Sequence, residues 1–261
     1  MSELSQMWSL RVGPPFQPGG QTAWVAPAVD ADGRELVLKV GWRHPEADQE
    51  ADGLRVWAGR GAVQLYAAEK LDQTIGLLLE RCTPGTPLSL RPEDEQDQIV
   101  ARLLPNLWLE APVGEAFRPL QVMCDQWADE FEAKLATAAG TLDSGLVRVG
   151  IELFRSLPAS ADRNVLLCTD LHAGNVLAAQ RQPWLVIDPK PYVGDPTYDP
   201  LQHLLNCEQR LHANPRALIA RVADLLELDR ERLTLWLFAR CVQESLDWPQ
   251  LGHVARQLAP G

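Results

Sequence analysis

The chain has 261 residues, of which 46% are hydrophobic and 23% charged, and its formal net charge is −11 at pH 7. A chain of this size and composition can bury a large apolar core, which excludes an intrinsically disordered protein. The acidic balance argues against a nucleic-acid partner, which requires concentrated Lys and Arg, and it is compatible either with a polycationic substrate or simply with solubility.

The first 83 residues predict a β-rich region. Runs of β-branched and apolar residues predict strands, and turn-forming residues between the runs predict antiparallel pairing in a five-stranded sheet. The runs cover residues 22–29, 35–40, 62–67 and 75–80. A helical period over residues 45–60 separates the second run from the third.

Two features of this region suggest a site for phosphate groups. Gly19 and Gly20 precede the first strand; adjacent glycines let backbone N–H groups approach phosphates, although a plain turn explains them equally well. Lys39 lies inside the apolar strand LVLKV, where a lysine is costly unless it is paired or borders a site. Glu50 on the predicted helix is the favoured partner, and Glu46, which also suits the helix dipole, is the alternative.

From residue 92 onward, spacings of three and four apolar residues predict a mainly helical region. Helices are predicted from residue 92 and over residues 119–139, 143–157, 215–228 and 230–248. We therefore expect an α+β protein with a small antiparallel β-sheet lobe (residues 1–83) and a larger helical lobe (residues 84–261). The backbone of Glu80 to Cys82, at the hinge after the last strand, is then free to pair with an adenine edge.

Residues 165–199 contain the most informative pattern. Two apolar strand-like runs each end in an aspartate, Asp170 and Asp188, and Asn175 lies five residues after Asp170. The spacing D-x-x-x-x-N is that of a kinase catalytic loop, where the Asp accepts the proton of the substrate hydroxyl and the Asn binds magnesium. Phosphoryl transfer requires positioned oxygen ligands for Mg²⁺ more than covalent chemistry. The sequence therefore predicts a kinase with Asp188 as a second metal ligand.

Neighbouring polar residues have less specific interpretations. For His172, a structural hydrogen bond is favoured over metal binding or donation to phosphate. For Lys190, neutralisation of phosphate charge and pairing with Asp195 or Asp199 are equally open. The D-x-H and G-D-x-x-D motifs also suggest a two-metal phosphoesterase, but no Arg-Gly follows Asp199 and no later Gly-Asn-His cluster is present.

The predicted helix over residues 230–248 supplies candidates for an acceptor pocket. These are Trp236 and Glu244, together with Asp199 from the preceding motif. Acidic groups there suit a guanidinium-bearing or amino sugar. The alternatives are a core position for Trp236 and a solvated position for Glu244. We expect His203 to be an ordinary surface or loop residue.

The sequence also predicts the compartment. No run approaches the ~18 uncharged apolar residues that a membrane span needs, and the opening MSELSQMWSL lacks the basic and apolar regions of a secretion signal. The five cysteines are scattered without a C-x-x-C pair, which disfavours disulfides and a cysteine zinc site. We expect a cytoplasmic protein with reduced thiols and no membrane partner.

The run TDLHAGNVL followed by WLVIDPKPYVGDPTYD resembles the aminoglycoside phosphotransferase family, in particular its streptomycin 6-kinase and hydroxyurea kinase branch. LKVGWRHPEADQEADGLRVWAGRGAVQLY near the N-terminus is similar to the same branch. The resemblance implies a protein-kinase-like fold, ATP as donor, Mg²⁺ as cofactor and O-phosphorylation of a small antibiotic.

The resemblance also implies roles for individual residues. It implies that Asp170 is the catalytic base, with Asn175 and Asp188 as magnesium ligands. Lys39, with Glu50 as its partner, would bind the α- and β-phosphates. Glu80 to Cys82 would be the adenine hinge, and Asp195 would orient the catalytic loop.

One departure from the family lies directly before Asp170, where Cys168-Thr169 stand in place of the usual His-Gly. A β-branched Thr is unfavourable there if the loop needs a positive φ. Two alternatives to an antibiotic kinase remain open. One is a housekeeping kinase of the same fold for choline, a sugar or an amino alcohol, and the other is a catalytically weak, nucleotide-binding pseudokinase scaffold.

Overall fold

The computed structural model describes residues 2–17, 23–111, 117–138 and 143–260. The helices are α1 (Ser2–Met7), α2 (Pro45–Trp57), α3 (Glu93–Leu107), α4 (Leu120–Leu135), α5 (Ser144–Ser156), α6 (Leu201–Asn206), α7 (Glu208–Ala213), α8 (Pro215–Leu226), α9 (Arg230–Glu244) and α10 (Leu251–Leu258). The strands are β1 (Arg11–Val12), β2 (Ala23–Val29), β3 (Glu35–Trp42), β4 (Leu65–Lys70), β5 (Thr74–Glu80), β6 (Val165–Leu167), β7 (Val176–Ala178), β8 (Trp184–Val186) and β9 (Tyr192–Gly194).

The chain forms two compact units. Unit 1 comprises Met1–Leu90 and Gly174–Pro191, and unit 2 comprises Arg91–Ala173 and Tyr192–Gly261. Unit 1 therefore contains a segment from the middle of the chain, which holds β7 and β8. The lobe boundary after residue 83 stays a prediction.

Unit 1 contains the predicted five-stranded antiparallel sheet, in the order β1-β2-β3-β5-β4. Side chains alternate across β3, so Leu36 and Leu38 enter a buried cluster on one face, while Lys39 points to the other. The strand predicted over residues 62–67 begins later, at Leu65. Residues 62 and 63 instead contact Val186 of β8 through a bridge and a 3.0 Å hydrogen bond.

The helix α2 begins and ends where local chemistry favours it. The His44 side chain accepts from the backbone N–H of Ala47 at the N-cap, and Pro45 occupies the first turn. The helix ends at Trp57, three residues before the predicted end, because Ala58 adopts the left-handed conformation and closes the helix.

Unit 2 consists of the β6–β9 pair and the helices α3 to α10. Helices α5 and α9 approach closely at Gly150, where an added Cβ would lie 2.6 Å from Val242 side-chain atoms. The predicted helix over residues 230–248 ends at Glu244, and α10 follows as a separate helix that the sequence did not predict. The apolar spacing continues past this break, which is why periodicity alone missed it.

Unit 2 also contains a buried ion network, which we call the Asp97 network: Asp97, His203, Arg210 and Arg221. Asp97 is almost fully buried and accepts hydrogen bonds from the other three side chains at 2.6–2.9 Å. The expectation that His203 lies at the surface is wrong, because its exposed fraction is 1%. Burial of Asp97 is compatible with its charge because cationic partners surround it.

The described helices are too short or too polar to cross a lipid bilayer.

Candidate active site

Three charged side chains meet in unit 1, and we call them the Lys39 cluster: Lys39, Glu50 and Asp188. The Lys39 Nζ donates to both Glu50 carboxylate oxygens at 2.8 and 2.6 Å and to Asp188 Oδ1 at 2.5 Å. Glu50 is buried, whereas the Asp188 side chain is 43% exposed. The cluster therefore has a closed side at Glu50 and an open side at Asp188.

Three elements bring the Lys39 cluster together. Lys39 points away from the apolar face of β3, and Glu50 projects from the second turn of α2. Gly53 allows the helix to approach the segment after Asp188, since an added Cβ would lie 2.9 Å from Pro191 Cγ. A glycine in mid-helix normally weakens the helix. Here it allows the close contact between α2 and that segment.

The charges of Lys39 and Asp188 support each other, whereas burial raises the pKa of Glu50 even though Lys39 lowers it. Burial alone would lower the pKa of Lys39, but the nearby carboxylates of Glu50 and Asp188 raise it overall. Burial would raise the pKa of Asp188, but Lys39 and then Lys190 lower it. The Lys190 Nζ lies 3.6 Å from Asp188 Oδ2. The Asp188 carboxylate thus stays ionised between two lysines.

Asn175 and Asp188 lie at the same end of the β7–β8 hairpin. Val176 pairs with Val186, and the N–H of Ile187 donates to the carbonyl of Asn175 at 2.9 Å. Asn175 and Asp188 flank these paired residues. Amide and carboxylate oxygens are ligands that suit Mg²⁺.

The backbone before Asp170 lies in unit 2 and is held by Asp199. The Asp199 carboxylate accepts from the N–H of Cys168 at 3.1 Å and from the N–H of Thr169 at 2.6 Å. It is fully buried and also accepts from the Trp108 indole N–H at 2.9 Å. Asp170 and His172 are half-buried.

Thr169 has a φ of 49°, so the loop does need the left-handed conformation that the sequence raised as a concern. The left-handed region is unfavourable for a β-branched residue. We expect Thr169→Gly to raise the free energy of unfolding by about 1 kcal/mol, because glycine adopts this φ without a Cβ clash.

Chemical denaturation measures this change, and Thr169→Ala is the matched control. Alanine removes the β-branch but keeps a Cβ, so it should recover only part of the gain. A Thr169→Gly protein less stable than the parent would show that the Thr169 side chain stabilises the loop by more than the strain costs.

The structure gives different partners to the two aspartates of the G-D-P-T-Y-D run. Asp195 accepts from the N–H of Thr197 at 2.9 Å, from Arg232 at 2.6 Å and from the Trp236 indole at 2.7 Å. The hydrogen bonds to the backbone of Cys168 and Thr169 are made by Asp199, and the orienting role that the resemblance implies for Asp195 stays a prediction.

The acceptor-pocket candidates lie in different environments of unit 2. Trp236 and Asp199 have no exposed surface and are bound internally. Trp236 packs edge-on against Phe154 and Tyr198, with ring centroids 6.2 and 5.0 Å away. Glu244 keeps 24% of its side chain exposed and pairs with Arg240 at 2.5 Å. Of these three candidates, Glu244 alone has a side chain that a ligand can contact directly.

At the predicted hinge, the Glu80 side chain is bound within unit 1. Arg181 donates to both Glu80 carboxylate oxygens and to the carbonyls of Gly59 and Ala62, at 2.6–2.9 Å. Cys82 is half-buried, and burial raises the pKa of its thiol to about 11. No motif in the sequence indicated Arg181. Gly19 and Gly20 lie outside the described residues.

Known proteins resemble this chain over most of its length. The family described as aminoglycoside/hydroxyurea antibiotic resistance kinase matches residues 11–252. A hydroxyurea phosphotransferase of Kitasatospora aureofaciens is 37% identical, covering 98% of this chain and 74% of the relative. A streptomycin 6-kinase of Streptomyces griseus is 34% identical, covering 87% of this chain and 75% of the relative.

A solved structure extends the comparison to the fold. It is a thermostable mutant of the aminoglycoside phosphotransferase APH(4)-Ia in ternary complex with ADP and hygromycin B. The TM-score is 0.65 at 16% identity, covering 100% of this chain and 99% of that chain. The predicted α+β fold of the protein-kinase-like type is confirmed.

Proposed function

The chain belongs to the aminoglycoside/hydroxyurea antibiotic resistance kinase family, and on that basis we propose that it transfers the γ-phosphate of ATP to a hydroxyl of a small antibiotic-type acceptor in the cytoplasm. The family match and the two named relatives confirm the family and the phosphotransferase class predicted from the sequence. The observation that carries the proposal is the Lys39 cluster, in which one lysine binds two carboxylates from separate elements.

Lys39 and Glu50 have separate roles in this reaction. Lys39 binds the α- and β-phosphates of ATP, because a buried ammonium offers fixed donors and a positive charge to phosphate oxygens. Glu50 keeps Lys39 charged and oriented.

The backbone of Glu80 to Cys82 binds the adenine edge, while the Arg181 contact fixes the Glu80 side chain.

The residues at the end of the β7–β8 hairpin fit Mg²⁺. Asn175 offers an amide oxygen and Asp188 a partly exposed carboxylate, both hard oxygen ligands. Mg²⁺, when bound, supplies charge neutralisation for the phosphates. Asp170 orients the acceptor hydroxyl and accepts its proton, and Asp199 holds the backbone before it.

Lys190 is proposed to neutralise negative charge that develops on the transferred phosphate. Its Nζ lies 3.6 Å from Asp188 Oδ2, and 26% of its side chain is exposed.

Lys190→Met should lower kcat about tenfold or more, because fixed charges at a reacting group act mainly on the transition state. Steady-state kinetics with ATP measure this change. Lys70→Met, the same change at an exposed strand end of unit 1, is the control, and unchanged kcat and ATP KM for Lys190→Met would refute the role.

The acceptor is tested by ADP release with Mg-ATP in a coupled assay. The panel contains streptomycin, other aminoglycosides, hydroxyurea, choline and simple sugars. Acceptor-dependent turnover with streptomycin or hydroxyurea supports the proposal. Turnover with choline or a sugar alone points to the housekeeping alternative, and ATP binding without turnover on any acceptor points to the pseudokinase scaffold.

A further inference from the structure

We propose that Trp108 is a positioning residue for the catalytic loop, because its indole N–H holds the Asp199 carboxylate that binds the backbone directly before Asp170. The inference rests on the proposed role of Asp170 as the base, and it concerns unit 2 only. It adds a residue that lies 62 positions before Asp170 in the sequence and that no motif indicated.

The contacts form a short chain from Trp108 to the loop. Trp108 Nε1 donates to Asp199 Oδ2 at 2.9 Å. The same carboxylate accepts from Cys168 N at 3.1 Å and from Thr169 N at 2.6 Å. Asp170 follows Thr169 directly, so a shift of Asp199 changes the backbone from which the Asp170 side chain extends.

Asp199 can transmit such a constraint because its own position is fixed. It ends the 3-10 turn Pro196–Tyr198, which the Asp195 side chain caps by accepting from Thr197 N. The residues of this turn and Asp199 are all buried. The Asp199 carboxylate therefore has little freedom to follow the loop if one of its donors is removed.

Trp108 is likewise fixed. It is the C-cap of α3, with its backbone N–H bonded to the carbonyl of Leu104. The next carbonyl, that of Leu109, accepts from Leu166 of β6 at 2.8 Å, and the Arg163 guanidinium lies 5.8 Å from the indole centroid. The end of α3 is thus attached to β6 by a hydrogen bond and to Asp199 by the indole.

The ionisation of Asp199 provides a readout that simple packing would not change. The pKa of Asp199 is raised to about 6, because burial outweighs the hydrogen bonds from Cys168, Trp108 and Thr169, which lower it. Protonation reduces the ability of the carboxyl group to accept from the loop N–H groups. The Arg163 guanidinium lies over the indole, and the carboxyl-bearing Asp170 follows Thr169 in the chain.

The test is Trp108→Phe, which keeps an aromatic ring and removes the N–H donor. Amide chemical shifts of Cys168 and Thr169, followed by NMR from pH 4.5 to 8, report the ionisation of Asp199 without requiring turnover. We expect the midpoint of this pH titration to rise by about one pH unit, because the loss of one charge-assisted hydrogen bond raises the pKa of a carboxyl group by about that amount. We also expect kcat to fall about tenfold, with the ATP KM unchanged and the acid limb of the kcat profile moved to higher pH.

Trp127→Phe is the matched control, because it makes the same change in the same unit at a partly buried indole on α4, over which Arg240 lies. The Cys168 and Thr169 midpoints of this variant should stay at the parent value. If Trp108→Phe leaves both the midpoint and the acid limb unchanged, the inference is overturned. If the midpoint rises while no acceptor is turned over by the parent protein, the contact stands and it is the proposed function that fails.

Discussion

Asp170→Asn should lower kcat by about 10²- to 10⁴-fold, the usual contribution of a general base, while ATP binding remains close to that of the parent. The amide keeps the size of the side chain and removes its ability to accept a proton. The Lys39 cluster, which we propose to bind the phosphates, lies entirely in unit 1, whereas Asp170 lies in unit 2. Single-turnover kinetics with the best acceptor and calorimetry with ATP measure the two effects separately.

The control for this substitution is Asp162→Asn, which makes the same change at an exposed position of unit 2 before β6. It should retain the parent kcat. A near-normal kcat for Asp170→Asn would refute the assignment of Asp170 as the base. Loss of ATP affinity together with kcat would instead show that Asp170 affects nucleotide binding.

The sequence predicted those parts of the fold that repeat or have a fixed spacing. The cost of an unpaired lysine inside an apolar strand, together with the helical period that follows, predicted the pairing of Lys39 with Glu50, and the structure contains this pair. The D-x-x-x-x-N spacing made Asp170 and Asn175 candidates for the base and a metal ligand because both lie within one short segment, and these roles stay predictions. These inferences needed no knowledge of which distant elements meet.

The contacts that the sequence did not predict join residues far apart in the chain. Trp108 and Asp199 are 91 residues apart, and Asp97 and Arg221 are 124 apart. Such pairs leave no period in either segment, so a lone tryptophan or aspartate looks like any other core or surface residue. His203 was assigned to the surface for this reason, since its partner Asp97 lies 106 residues earlier.

Asp97→Asn should destabilise the protein by about 3–5 kcal/mol, the typical cost of removing one partner from a buried ion pair. The Asp97 carboxylate is buried and binds Arg210, Arg221 and His203. An amide cannot balance these positive charges, and its NH₂ group would face donors.

Asp97, His203 and Cys207 lie close enough to hold a metal ion, but the two guanidinium groups on Asp97 disfavour a further cation.

The same network predicts how stability changes with pH. Burial lowers the pKa of His203, but the hydrogen bond to Asp97 raises it overall, from 6.5 to about 9. A raised histidine pKa stabilises the fold fully below pH 6.5, and this stabilisation is lost as pH rises through about 9. Burial raises the pKa of Asp97, but Arg210, His203 and Arg221 hold it well below its usual range, so its contribution is lost only at strongly acidic pH.

Urea unfolding at pH 6 and pH 9 tests both parts of this prediction. Between pH 6 and pH 9, the free energy of unfolding of the parent should fall by on the order of 2–3 kcal/mol more than that of Asp97→Asn. The reason is that the variant has no carboxylate to hold the His203 proton. The groups facing His203 are Asp97 from α3 and Cys207 at the end of α6, with Arg210 of α7 and Arg221 of α8 on the same carboxylate. The shifts of Asp97 and His203 describe one interaction, so their free energies are not added.

Asp94→Asn is the control, since it makes the same change on an exposed residue in the first turn of α3. Its cost should be limited to a helix-dipole contribution of about 0.5 kcal/mol, with the pH dependence of the parent retained. If Asp97→Asn is as stable as Asp94→Asn, the arginines and His203 find water or other partners without Asp97. Asp97→Asn could also be destabilised while its free energy of unfolding changes between pH 6 and pH 9 as much as that of the parent. In that case the Asp97 carboxylate neutralises the arginines, and His203 is neutral in the folded protein.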